Sequence, residues 1–129
     1  MTTSHKIVLA VVIGVLLGFG GAKAIHAQQA KTPPAYVIAE IEVTNPAGLQ
    51  EYGAKAPGTL VPFGGRYLVR GGTPEAVEGE PAKHIAVIAF DSLAKARGWY
   101  DSPAYVAIRP FRQRATKSRI IIAEGVAPQ

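Results

Sequence analysis

Residues 36–49 read YVIAEIEVTNPAGL. Val37, Ala39, Ile41 and Val43 alternate with Tyr36, Ile38, Glu40 and Glu42. A period of two with one apolar face marks a half-buried strand. Asn45 then stands where a helix N-cap is needed, and Pro46 stands at the first helical position. The spacing of Leu49, Tyr52, Ala56, Leu60 and Phe63 predicts a helix over 47–63 with one inward stripe. Pro57 and Gly58 lie inside that stretch and predict a kink or a two-piece helix.

Working outward, Gly64-Gly65 supplies a helix stop. RYLVR over 66–70 reads as a second strand. Its alternation places Arg66, Leu68 and Arg70 on one face and Tyr67 and Val69 on the other. The Gly- and Pro-containing stretch 71–81 reads as a loop. HIAVIAF over 84–90 is apolar on both faces after His84, as a central strand is. Asp91-Ser92 opens a helix over 93–99, and Ser102-Pro103 opens another over 103–114. RIIIAE over 119–124 is the last strand. The order βαββαβ is the ferredoxin-like α+β arrangement, a four-stranded antiparallel sheet with its helices on one face. The other sheet face is then bare and apolar. A second copy of the chain is the expected cover, so a homodimer is expected.

Preceding the domain, MTTSHK leads into an apolar run of 16 residues, Ile7–Ala22, with four glycines, and then into small residues at Ala24 and Ala27. This is the layout of a secretory signal peptide over 1–27. The run is short of the ~20 residues that cross a bilayer comfortably. Cleavage after Ala27 and a periplasmic or secreted protein are expected; the alternative is an uncleaved N-terminal membrane anchor. Residues 28–34 (QQAKTPP) read as a linker, which leaves 35–126 as the folded domain.

Composition narrows the chemistry. The 129 residues are 48 % apolar and 18 % charged, which suits a single folded domain rather than a disordered chain. Cysteine is absent, which excludes disulfides, thiolate metal sites and thiol nucleophiles. The three histidines show neither HxxxH nor HxH spacing, so no metal site is expected. Lys6 and Lys23 are the only charged side chains of the leader. Twelve basic and nine acidic side chains remain beyond it, a net +3. That modest excess does not point to nucleic acid. The Gly pairs lack phosphate-loop spacing, and no cofactor is expected.

Two stretches carry a family likeness. Gly64-Gly65-Arg66-Tyr67-Leu68-Val69-Arg70-Gly71-Gly72 is one. Trp99-Tyr100-Asp101-Ser102-Pro103-Ala104-Tyr105, followed by Arg109-Pro110 and Arg112, is the other. Over residues 35–126 the chain resembles the domain of unknown function 1330 family, of the dimeric α/β-barrel superfamily. The resemblance implies a ferredoxin-like dimer and no particular reaction. The wider superfamily includes small cofactor-free oxygenases, haem-degrading enzymes and muconolactone isomerase-like enzymes, a likeness of fold rather than of site.

The candidate ligand-binding residues are Arg66, Arg70, Tyr105, Arg109, Tyr52 and Tyr100. Two guanidinium groups on one strand face could hold a carboxylate; the structural alternative pairs Arg66 and Arg70 with Glu40 and Glu42 at a dimer interface or rim. Arg109 and Arg112 are three apart on a helix and could reach a pocket anion. Tyr52 lies on the inward stripe. Tyr100 and Tyr105 fit equally as a pocket wall for a planar ligand or as packing around Trp99, which reads as core. His84 is the one candidate general base, and a strand-end histidine facing water is the alternative. The expected role is binding a small organic molecule, anionic or aromatic. The competing role is a non-catalytic dimerisation module.

Overall fold

Strand β1 (Ala35–Val43) follows the period-two pattern: Ala35, Val37 and Ala39 are buried, and the alternate positions are less so. It is described, with the rest of residues 32–129, by a computed structural model. The leader over 1–27 and positions 28–31 of the linker lie outside the described residues. Asn45 caps helix α1 (Pro46–Leu60), its side-chain oxygen accepting from Gly48 N at 3.2 Å. The helix is assigned without interruption through Pro57, so the expected two pieces are not found there. The chain tightens instead at the 3₁₀ turn Val61–Phe63, and Gly64 at φ 65° ends it. That left-handed backbone suits glycine.

Strands β2 (Arg66–Gly72) and β3 (His84–Phe90) follow. Ser92 caps helix α2 (Leu93–Tyr100), and Ser102 caps helix α3 (Pro103–Ala115). Strand β4 (Thr116–Glu124) starts three residues earlier than the sequence pattern suggests. Those residues, Thr116 to Ser118, pair with Ile41 to Val43 of β1. Among the described residues, no helix is long and apolar enough to cross a membrane.

The sheet order is β2-β3-β1-β4, every pair antiparallel. Val37 lies between Ile88 and Ile122, and Ala35 beside Phe90. These side chains pack with Leu60, Ala96, Trp99 and Tyr105 of the helices to form the core. The opposite face carries an in-register row, Val69–Val87–Ile38–Ile121, at its centre. Next to that row Glu40 faces Arg119, and beyond it Glu42 faces Lys117.

Strand β2 departs from simple alternation. Tyr67 pairs with Ile88 and Val69 with Val87, so Leu68 is one residue too many. A bulge of this kind resets which face each following side chain takes. Arg66 therefore shares a face with the Val69 row, whereas Arg70, paired with Ala86, lies on the helix side with Tyr67. The expectation that Arg66 and Arg70 share a face is corrected by this bulge. Within one chain β3 lies between β2 and β1, so neither arginine reaches Glu40 or Glu42 across neighbouring strands. A second irregularity follows at Gly71, whose φ is 67°.

Close packing is most demanding at Gly65. A Cβ there would fall 2.7 Å from Phe90 Cε1 and 2.8 Å from Leu60 Cδ2. Gly65→Ala must displace a buried ring or open the helix–sheet seam. The expected cost is about 1–3 kcal/mol, read as a lower midpoint in urea unfolding at an unchanged slope.

Candidate functional site

Ser102 builds the corner from which the site grows. Its hydroxyl donates to the Trp99 carbonyl at 2.7 Å and accepts from Tyr105 N at 3.3 Å. The last turn of α2 and the first of α3 are thereby locked together. Trp99 and Tyr105 come to lie with ring centroids 4.0 Å apart, both 2 % exposed. Trp99 Nε1 donates to Thr59 Oγ1 at 2.9 Å, which satisfies the one polar atom of the indole. Trp99 is core, as its sequence context predicts.

Tyr105 carries a polar chain through this apolar seam. Its hydroxyl lies 3.1 Å from the Tyr52 hydroxyl on α1. Arg112 stands seven residues after Tyr105, two helical turns on and on the same face of α3. Its Nε donates to Tyr105 Oη at 3.4 Å, and its Nη1 donates to Ser118 Oγ of β4 at 2.6 Å. Thr116 Oγ1 donates to the Arg112 carbonyl at 2.8 Å. Arg112 is only 4 % exposed. Both of these partners are neutral hydroxyls. A buried charge without a counter-charge costs several kcal/mol even after partial solvation.

Arg112, Ser118, Thr116, Gln113, Tyr100 and Ile120 line a pocket of about 330 Å³ between α3 and the helix-side face of β4. A larger hollow, about 470 Å³, is bordered among others by Glu40, Glu42, Glu80, Lys83, Lys117 and Arg119. Charges of both signs line that second hollow, so it carries little net preference for an ion of either sign. Among the described residues there is no cluster of three or more His, Asp or Glu side chains that could hold a metal.

The other candidate residues fall into two groups. Tyr52, Tyr100, Tyr105 and Arg109 come together. Tyr100 and Tyr105 rings lie 5.5 Å apart, and the Arg109 guanidinium carbon sits 4.1 Å from the Tyr100 ring centroid. Arg109 Nη2 also donates to the Tyr100 carbonyl, which closes the C-terminal end of α2. Its Nε is buried with no hydrogen-bond partner among the described residues. Arg70 lies on the same side of the sheet, against Tyr67, whereas Arg66 and His84 are placed elsewhere.

Arg70 meets a vacancy that a proline creates. Pro57 has no N–H to give the Gly53 carbonyl one turn earlier in α1. Arg70 Nη2 donates to that carbonyl at 2.9 Å, and the guanidinium carbon lies 4.8 Å from the Tyr67 ring centroid. Arg66, on the opposite face, pairs with Asp91 at 3.3 Å; both are more than half exposed, which limits the worth of the pair. His84 pairs with Ile41 in a sheet row that continues to Ser118, two strands away.

Tyr67 and the buried state of Arg112 were not apparent in the sequence. The signal for Arg112 was its i+7 spacing from Tyr105. The signal for Tyr67 was hidden by the bulge at Leu68.

A family model described as a domain of unknown function, DUF1330, matches residues 34–126. The chain belongs to this family. No curated protein matches it. Among solved structures, this DUF1330 domain is similar to a protein of unknown function from Rhodopseudomonas palustris, with a TM-score of 0.61 at 20 % identity. That match covers 82 % of this chain and 95 % of the other. It is also similar to SnoaB, a cofactor-independent oxygenase from Streptomyces nogalater, with a TM-score of 0.52 at 11 % identity. Here 76 % of this chain and 100 % of SnoaB are covered. A dimeric ferredoxin-like protein of unknown function from Thermobifida fusca gives a TM-score of 0.51 at 11 % identity, covering 72 % and 92 %. These likenesses establish the ferredoxin-like fold.

Burial holds the Tyr52 hydroxyl well above the ordinary tyrosine range, reinforced by Tyr105 beside it. Burial also raises Tyr67, against the lowering effect of Arg70. Above the ordinary value of 10.0 the folded DUF1330 domain thus keeps protons that the unfolded chain has lost. Its stability is full below about pH 10 and falls as the pH rises beyond it. Tyr52→Phe is expected to lower the urea midpoint at pH 8 by the equivalent of about 1 kcal/mol, through the lost hydroxyl contact. It is also expected to flatten the decline between about pH 9 and pH 11.

Proposed function

We propose that residues 28–129 form an exported homodimer that binds a small organic molecule, anionic or aromatic, in the pocket between α3 and β4. One observation carries the reading: an arginine–tyrosine chain crosses an otherwise apolar helix–sheet seam and borders a pocket of about 330 Å³. Packing alone does not require polar groups there, and buried polar networks impose a stability penalty unless fully satisfied. The volume lies at the small end of ligand sites, which run from about 300 to 1,000 Å³. Export rests on the signal-like residues 1–27. Against the competing reading, a dimerisation module whose Arg66 and Arg70 pair with Glu40 and Glu42 across an interface, stands the position of Arg70 on the helix side, where it donates to the Gly53 carbonyl.

The dimer reading is supported by the Val69–Val87–Ile38–Ile121 row, left uncovered by the helices. A similarly folded protein from Thermobifida fusca is described as dimeric. A second copy laid on this face would bury that row. The flanking Glu40, Arg119, Glu42 and Lys117 would then form its charged rim.

Two measurements test the proposal. A thermal-shift screen of the full chain against small organic acids and neutral aromatics should find compounds that raise the melting temperature. At a hundred times the dissociation constant, a ligand adds ~2.7 kcal/mol to stability. A flat response across both classes overturns the binding role. Sedimentation of the wild type should give twice the chain mass, and Val87→Asp should give a folded monomer; a monomeric wild type overturns the dimer.

A further inference from the structure

The pocket over β4 is bordered by a cation that no acid of the chain balances. The chain has nine acidic side chains, and all of them fall at or after Glu40, within the described residues. The ion pairs they form involve Lys55, Arg66 and Lys95, and none involves Arg112. The Nε and Nη1 of Arg112 are tied to Tyr105 and Ser118, whereas Nη2 makes no hydrogen bond among the described residues. Arg112 thus contributes a buried guanidinium, fixed in direction by two elements and still carrying unused donors, to the pocket wall.

The rest of the lining narrows the ligand. Arg112 is the only charged side chain among the pocket's lining residues. A single positive charge with neutral neighbours balances one negative charge; a phosphate dianion would be left half compensated. Gln113, Thr116 and Ser118 add neutral hydrogen-bonding groups, and almost all of the surface that the pocket exposes is polar. A planar guanidinium and a planar carboxylate match in shape and in donor–acceptor pattern.

We propose that the pocket takes a small polar monocarboxylate, its carboxylate held by Arg112 and its body bordered by Gln113, Thr116 and Ser118. This rests on the small-ligand reading above and narrows it to a chemical class. Arg112, rather than Arg66 or Arg70, is the specificity-determining residue, because those two already have Asp91 and the Gly53 carbonyl as partners.

The test is calorimetric titration of the full chain, in a carboxylate-free buffer, with acetate, pyruvate and benzoate. Each is compared with its neutral amide, and inorganic phosphate and benzyl alcohol serve as controls. At least one acid is expected to bind saturably, with its amide at least about 30-fold weaker. Arg112→Lys should weaken that acid by about tenfold or more, since a lysine cannot reproduce the planar fork. Arg112→Met should abolish its binding while leaving the ligand-free melting temperature no lower, because an uncompensated charge is removed. If Arg112→Met does not fold, the acid–amide comparison on the wild type and the Arg112→Lys titration decide the matter. Binding of neutral compounds alone, unchanged in Arg112→Lys, overturns the carboxylate assignment and leaves the small-ligand reading standing. Binding of phosphate in preference to every acid also overturns it. Silence from acids and neutral compounds alike overturns both.

Discussion

Trp99 and Tyr105, their ring centroids 4.0 Å apart, wedge the junction of α2 and α3 against the sheet. Phe90 of β3 meets the same indole at 5.6 Å, and Thr59 of α1 accepts its N–H. One side chain therefore ties β3 and α3 to α1, whose Thr59 lies 40 residues earlier in the chain. Removing a buried aromatic of this size commonly costs ~3–5 kcal/mol. The wedge also sets the chemistry. Tyr105 is held rigidly enough for its hydroxyl to meet Tyr52 from one side and Arg112 from the other. Were the rings to slide, the polar chain through the seam would lose its middle link.

Backbone carbonyls left over by helix geometry explain how the other arginines of the helix side are held. Pro57 withholds a donor from Gly53, and Arg70 supplies one from β2. The end of α2 leaves the Tyr100 carbonyl without a helical donor, and Arg109 supplies one from α3. Both contacts join separate elements, so each arginine acts as a brace. Arg112 differs because its partners are side-chain hydroxyls, which accept a proton bond but bring no negative charge. The distinction between an arginine spent on a brace and one still carrying free donors lies in three-dimensional placement.

That distinction also marks how far the sequence could be read. The order of elements, the caps at Asn45 and Ser102, and the core role of Trp99 follow from local rules: period, spacing and capping chemistry. Strand β3 runs from His84 to Phe90, the same span that its apolar run indicates. What failed was phase. Alternation assigns faces only while the ladder stays regular, and the extra residue at Leu68 sends Arg70 to the side opposite Arg66. Register across the sheet is a long-range fact, so neither the bulge nor the separation of β2 from β1 could be seen in RYLVR alone. Arg112 was within reach, since its spacing from Tyr105 is a local rule, but its isolation from every carboxylate required the fold.

The irregularity of β2 has a second side. A sheet ends in two rows of unpaired backbone groups, and such rows invite another chain to add a strand. At the β2 edge, the extra residues at Leu68 and Gly71 break the even spacing that an incoming strand needs. The β4 edge is regular over nine residues, and there Lys117 and Arg119 stand on the exposed face as like charges. One margin resists fibril-like stacking through its shape, the other by setting long charged side chains beside the edge. Straightening β2 by deleting Leu68 would thus do more than move an arginine: it would remove a guard against aggregation.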